Sequence, residues 1–297
     1  RLDFERAGIS FSLFGRMDGL GAHLGDPLIE EIKTTVLSPD TIGADDYPAH
    51  WAQAMIYAHM LLENEGGSRA QVRLTYYNLS GGKASFTRSF TREALRAKFE
   101  EWLSPYVQWT RSLLSDRARM EPSLASLPFP FDRFRSGQRT FAAHGYVALR
   151  DQKNLLCQAP TGIGKTAAAL FPALKAMGAG LVDAVFYLTA RTTTRLAAQN
   201  ALEKMRDRGL ILRSVTLTAR DKICACKGCR CRPDECERAR GYYDRRRAAL
   251  YEALDMERLD RPDIEALAEK HALCPFELSL DLSEIAQVVI CDYNYAF

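Results

Sequence analysis

Residues 217 to 246 read LTARDKICACKGCRCRPDECERARGYYDRR, with five cysteines in the thirteen positions 224 to 236 and arginines throughout. Six of the eight cysteines lie between 224 and 274. Four thiolates around one centre suit zinc or an iron–sulfur cluster. Cys226-x-x-Cys229 has the spacing of a zinc pair, Cys231-x4-Cys236 fits a second pair only loosely, and Cys274 is then left over. Cys224, Cys231, Cys236 and the distant Cys274 are loose for zinc but permit a larger cluster. Spacing alone leaves both metals open. A disulfide framework is not expected, because no secretory signal opens the chain. Cys157 in NLLCQA and Cys291 in VVICDY read as buried thiols in apolar strands.

A second group is APTGIGKT at 159 to 166, between an apolar run and a helical pattern. Gly162 and Gly164 let the backbone curl so that its N–H groups meet phosphate oxygens, and Thr161 is counted with them among the nucleotide-binding residues. The helix beginning near Lys165 adds its positive end. Lys165 is placed to reach the β- and γ-phosphates of ATP, and Thr166 to ligate Mg²⁺. Upstream, RSGQ at 135 to 138 offers Gln138 to an adenine. LTARTTTR at 188 to 195 puts hydroxyls and Arg191 at a strand end, which suits a nucleic-acid backbone. Asp292 in VVICD looks like an acid delivered to Mg²⁺, but Tyr-Asn-Tyr follows it, so a structural role is expected.

The third group is acidic. GRMDGL supplies Asp18, LIEEIKTT supplies Glu31-Ile32-Lys33, and HWAQAMIYAHML supplies Gln53 and Tyr57 one helical turn apart. Strand alternation sets Glu31 and Lys33 on one face and Glu30 on the other. Two carboxylates with a lysine can hold Mg²⁺ or Mn²⁺ through oxygen and activate water for attack on phosphorus.

These groups need scaffolds to position them. The chain has 297 residues, 47% hydrophobic and 26% charged, enough for two cores. A net charge of +3 means that any nucleic-acid site must come from local clusters. No apolar run reaches transmembrane length, so no membrane partner is expected and a cytoplasmic location is the default. The sequence opens on Arg1 and stops soon after an apolar strand, so an internal piece of a longer protein is expected. ISFSLFGRMDGL and PLIEEIKTTVL read as strands, and YPAHWAQAMIYAHMLLEN as a helix ended by EGGS. AQVRLTYYNLSGGKASFTRSF reads as a hairpin about Gly81-Gly82. Thr91 then caps a long helix that Pro105 should kink or break. Prolines near 119–132 mark a linker. Beyond it, strands NLLCQAP, DAVFYLTA, LRSVTLTA and SEIAQVVICDY alternate with helices, which argues for a parallel sheet.

Taken in order, GQRTF, APTGIGKT, YLTARTTTR, LTARDKIC, CRPDECERARGYYDRR, CPFELS and VVICDYNYAF resemble the XPD/DinG family of iron–sulfur superfamily 2 DNA helicases, over roughly 132 to 297. The resemblance implies ATP and Mg²⁺ at the phosphate loop. It implies a [4Fe-4S] cluster on Cys224, Cys231, Cys236 and Cys274, with Cys226 or Cys229 as alternatives to Cys231. It also implies a 5′ to 3′ motor on single-stranded DNA or a single-strand/duplex junction. The arginines between 230 and 247 then suit phosphate, and Tyr242 and Tyr243 suit stacking on bases. An Asp-Glu-Ala-His box and a second motor domain are expected past residue 297.

Residues 10 to 65 resemble PD-(D/E)XK nucleases of the RecB type. That likeness makes Asp18 and Glu31 metal ligands and Lys33 catalytic, with Gln53 and Tyr57 supporting the site or contacting DNA. The expected architecture is α/β. A PD-(D/E)XK nuclease-like domain at 1–118 and a linker at 119–132 precede an incomplete RecA-like parallel-sheet P-loop domain at 133–297, with an iron–sulfur insertion at 221–280. The implied protein is an ATP-dependent DNA helicase with a fused metal-dependent nuclease-like module, acting in DNA repair or recombination. Two alternatives stand beside it: a helicase whose amino-terminal module only binds DNA, and a zinc-stabilised nucleotide-binding switch that does not unwind.

Overall fold

The computed structural model describes residues 1–226 and 228–296. The chain divides into two compact units, Arg1–Arg111 and Ser112–Phe297.

The first unit opens with an antiparallel hairpin, β1 (Leu2–Arg6) and β2 (Ile9–Leu13). A separate four-stranded sheet holds β3 (Gly19–His23), β4 (Asp26–Thr35), β5 (Arg69–Asn78) and β6 (Lys83–Thr91) in the order β3-β4-β5-β6. Only β4 and β5 run parallel. Parallel neighbours need a crossover, and α1 (Pro48–Glu65) supplies it. Its buried side chains Trp51, Ala54, Ala58 and Leu62 pack with Ile29 of β4 and Val72 and Leu74 of β5. Ile29, Glu31 and Lys33 alternate onto that same face. The expected hairpin forms, with Gly81 and Gly82 both at positive φ.

Helix α2 (Arg92–Ser126) starts where the sequence says, with Thr91 Oγ1 accepting from Ala94 N at 3.2 Å. Pro105 does not end it. One internal proline costs about 3 kcal/mol, while Leu95 and Phe99 are buried early in the helix and Leu124 late in it, each worth about 1.5–3 kcal/mol. The helix therefore also runs through 119–126, half of the expected linker, and irregular chain begins only at Leu127.

In the second unit, α3 (Gln138–Arg150), α4 (Lys165–Gly178), β7 (Val185–Leu188), α5 (Thr192–Arg206) and β8 (Ser214–Thr216) follow in order. Then come α6 (Arg220–Ile223), α7 (Tyr242–Ala253), β9 (Arg258–Leu259), α8 (Arg261–Lys270), α9 (Pro275–Ile285) and β10 (Val288–Cys291). The fold is α/β, with a parallel sheet in the order β7-β10-β8-β9. Strand β10 lies inside the sheet and is buried on both faces. Val288 and Ile290 join Leu170, Leu174, Leu202 and Met205 on one side, while Val289 and Cys291 join Val215, Leu259 and Leu282 on the other.

The expected strand NLLCQAP is absent. Residues 153–160 have no regular structure, Leu156 is fully exposed, and Cys157 is exposed rather than buried. An apolar run becomes a strand only when a neighbour takes up its hydrogen bonds, and none of the sheet's four strands pairs with it. Among the described residues, no helix is long and apolar enough to cross a membrane.

Candidate functional site

The phosphate loop enters α4 through two left-handed glycines, Gly162 at φ +85° and Gly164 at φ +82°. Only glycine takes that conformation freely. Lys165 is the first helical residue, and its ammonium donates to the loop's own carbonyls, Ala159 O at 2.9 Å and Pro160 O at 3.1 Å. Thr161 is exposed at the loop's mouth. Thr166 Oγ1 lies 3.4 Å from the Tyr187 hydroxyl at the sheet. Gln138 is buried beneath the loop, its Nε2 donating to Gly164 O at 3.1 Å and its Oε1 accepting from Arg135 N at 3.0 Å. Arg191 is exposed at the N-cap of α5, where its backbone N–H donates to Thr189 Oγ1. The loop thus has the shape of an anion nest, with a lysine that can exchange backbone carbonyls for phosphate.

The cysteines converge in part. The sulfurs of Cys226, Cys229 and Cys236 all lie within 4.8 Å of one another. Cys226 and Cys229 are joined as a disulfide, contrary to the expectation of none, because C-x-x-C spacing lets two sulfurs meet. Reduced, the same pair becomes two thiols that can ligate a metal. Cys224 Sγ points to Cys226 O at 3.2 Å. Burial pushes the Cys274 thiol up, and the Cys224 sulfur adds to that. Cys231, named by the resemblance, is exposed and outside the group of three. A soft, mostly thiol donor set fits zinc or an iron–sulfur centre.

Around the cysteines, several arginines hold the insertion together. Arg238 donates to Ala268 O at 3.0 Å, Arg240 to Pro233 O at 3.1 Å and Arg245 to Ala272 O at 2.9 Å. Arg246 pairs with Asp281 at 2.8 Å. Tyr242 is not available for stacking. It is buried, its hydroxyl donates to Asp281 Oδ2 at 2.7 Å, and burial with that acceptor pushes the phenol far up. Tyr243 is 75% exposed, with the Arg246 guanidinium 4.9 Å from its ring centre.

Residues 137–223 match the DEAD/DEAH box helicase family, and residues 189–297 match DEAD_2. Together the two matched stretches run from 137 to 297. A solved structure, "Truncated XPD", is similar at 19% identity and a TM-score of 0.36, covering 52% of this chain and 44% of its own. The chain thus spans under half the length of that protein. No curated protein matches. The cysteine group lies within the stretch that matches DEAD_2 and is consistent with a metal site. Both matched stretches begin at or after residue 137.

In the first unit, Lys33 Nζ lies 2.5 Å from Glu31 Oε1 and 3.2 Å from Gln53 Oε1, and Gln53 Nε2 lies 3.4 Å from the Tyr57 hydroxyl. Glu31 is 2% exposed and its Oε2 is buried without a hydrogen bond. A buried, unpartnered carboxylate oxygen is costly, and a bound cation would satisfy it, so the donors fit Mg²⁺ or Mn²⁺. Asp18 Oδ2 accepts from Ile32 N at 2.9 Å, which holds this acid beside β4. Gly15 lets the preceding loop approach, since a β-carbon there would stand 2.5 Å from the Tyr57 ring. Glu30, on the other face, accepts from Thr75 Oγ1 at 2.5 Å.

His50 joins this cluster, although the sequence did not single it out. Its Nδ1 shares a 3.0 Å hydrogen bond with the Tyr76 hydroxyl and its ring stacks on Tyr47 at 5.1 Å. Burial and the charge of Lys33 push its ionisation down, against Glu31. The available signal was its place one turn ahead of Gln53 on α1.

Proposed function

We propose that the chain is part of an ATP-dependent DNA helicase that moves 5′ to 3′, carries a [4Fe-4S] cluster, and has a metal-dependent nuclease-like module at its amino-terminal end. The observation that carries the motor reading is the doubly left-handed glycine loop opening α4 with Lys165 at its first position, inside the stretch that matches the DEAD/DEAH box helicase family. Lys165 would leave Ala159 and Pro160 for the β- and γ-phosphates, and Thr166 would turn from Tyr187 toward Mg²⁺. Arg191 and Tyr243 would meet the DNA strand.

Cys224, Cys231, Cys236 and Cys274 would hold the cluster, with Cys226 or Cys229 in place of Cys231 as the alternative. A bound cluster would cross-link the insertion through its thiolates. The converged C-x-x-C pair favours zinc as the rival. Iron and acid-labile sulfide in anaerobically purified protein separate the two, and zinc without iron would remove the cluster reading. In the first unit Asp18 and Glu31 would ligate Mg²⁺ or Mn²⁺, which when bound lowers the pKa of a water for attack on phosphorus. Lys33, held by Gln53, would steady the developing charge. Domain limits of 1–118 and 133–297, with an insertion at 221–280, belong to this reading, as does a role in DNA repair or recombination.

The test is DNA-stimulated ATP hydrolysis and strand separation by the full-length protein, lost in Lys165→Ala. Cleavage of single strands with Mn²⁺ should be lost in Asp18→Ala. Cleavage that survives that change would reject the metal assignment, and DNA binding without cleavage would favour a module that only binds.

A further inference from the structure

The phosphate loop is gripped from below at three consecutive residues. Arg135 Nη1 donates to Gly162 O. Gly137, at φ +76°, lies against Ile163, where a β-carbon would stand 3.1 Å from Ile163 Cδ1. Gln138 Nε2 donates to Gly164 O at 3.1 Å. The grip also closes on itself, since Arg135 N donates to Gln138 Oε1 at 3.0 Å.

A trans peptide sets the carbonyl of one residue and the N–H of the next on opposite sides. Pinning the Gly162 and Gly164 carbonyls downward therefore turns the N–H groups of Ile163 and Lys165 upward. Those are amides that an anion nest at the start of α4 needs. The Gly164 carbonyl also accepts from Ala168 N at 3.1 Å as the first bond of α4, so the pliable peptide is the one after Gly162. Without the Arg135 pin it would sample many orientations, and binding phosphate would cost the entropy of fixing it. A guanidinium suits the task because it stays charged and presents donors in a rigid plane.

We infer that Arg135 is a positioning residue for the phosphate chain of a nucleoside triphosphate, holding the Gly162 carbonyl so that the loop is shaped before the nucleotide arrives. Gln138 adds a second bond to the Gly164 carbonyl, which α4 already holds through Ala168 N. The inference rests on the nucleotide reading above and deepens it.

The test uses the full-length protein and a fluorescent ATP analogue, displaced by ATP and by inorganic tripolyphosphate. Arg135→Ala should weaken both competitors by about tenfold, the scale of one charge-assisted hydrogen bond. Amide hydrogen exchange at 159–166 in the nucleotide-free protein should rise in the same variant. Arg135→Lys keeps a charged donor and should restore most of the affinity, and it provides a second variant should the alanine form fold poorly. A loss confined to ATP would make Arg135 a base contact and overturn the inference. Unchanged exchange with weakened binding would make it a direct phosphate ligand and also overturn it, as would unchanged binding of both competitors. If the unaltered protein fails to bind ATP, or Lys165→Ala binds equally well, the nucleotide reading itself falls. If binding depends on Lys165 but not on Arg135, only the inference falls.

Discussion

Gly164→Ala tests whether the loop's geometry is held as tightly as its contacts imply. Gly164 sits at φ +82° and ψ 44°. An L-residue in that left-handed region costs about 1–2 kcal/mol. The added β-carbon would stand 2.4 Å from Gln138 Nε2, so that side chain must move. Gln138 is 2% exposed and holds Gly164 O and Arg135 N. Displacing it forfeits two hydrogen bonds at about 0.5–1.5 kcal/mol each. Together the loss is about 2–5 kcal/mol of the second unit's stability. Gly162→Ala is the matched control. It meets the same backbone strain at φ +85°, but nothing lies within 4 Å of its β-carbon, so only about 1–2 kcal/mol is expected.

The molecule supplies its own assay. All three tryptophans, Trp51, Trp102 and Trp109, lie in the first unit, Arg1–Arg111. In urea, tryptophan fluorescence follows that unit while far-UV circular dichroism follows both. Gly164→Ala should shift the part of the dichroism transition that fluorescence does not report, by more than Gly162→Ala does. Adding Gln138→Ala to Gly164→Ala should cost little more than Gly164→Ala alone, because both hydrogen bonds of Gln138 are already forfeited there. Equal midpoints for the two single alanine variants would refute the reasoning, because Gln138 would then not be fixed beneath the loop.

Three further outcomes are expected. His59 is buried, stacks on Phe99 at 4.4 Å, and leaves Nδ1 without a hydrogen bond. Burial pushes its ionisation below the ordinary 6.5, so its contribution is complete above pH 6.5 and is lost as pH falls through the lowered folded value. His59→Phe should flatten the acid-side loss of first-unit stability seen by fluorescence, apart from the share of His50, whose ionisation moves the same way. An unchanged pH slope would assign that loss to other groups. Arg213 is buried and donates to Asp116, Ala253 O, Leu254 O and Ile285 O. Arg213→Met strands those acceptors and should cost about 3–5 kcal/mol in the dichroism midpoint, and a shift under about 1 kcal/mol would mean that the network is dispensable. Cys236 belongs both to the converged group and to the ligand set from the resemblance. Cys236→Ser should therefore abolish bound iron and sulfide, while iron retained in Cys231→Ser would transfer that role to Cys226 or Cys229.

What the sequence disclosed follows from the range of the forces involved. Thr91 capping α2, the Gly81-Gly82 hairpin and the glycine loop before Lys165 are each decided within a few residues, and all three stand where their residues put them. NLLCQAP failed as a strand because a strand is made by its neighbours, and no strand of the sheet pairs with it. Pro105 failed as a stop because its cost is local while the burial that offsets it is spread along the whole of α2. Tyr242 and Tyr243 were indistinguishable as neighbouring aromatics. Asp281, 39 residues from Tyr242, takes that hydroxyl and draws the ring into the core, leaving Tyr243 to solvent. The same holds for His50. On α1 it is one polar residue among several, and it gains a place beside Glu31 and Lys33 only because β5 brings Tyr76 into register with Lys33 and the Tyr76 hydroxyl reaches the imidazole. A residue type and its spacing thus announce chemistry when the partners are close in sequence. Where the partner lies on another element, the register of a sheet decides which of several equal candidates is used.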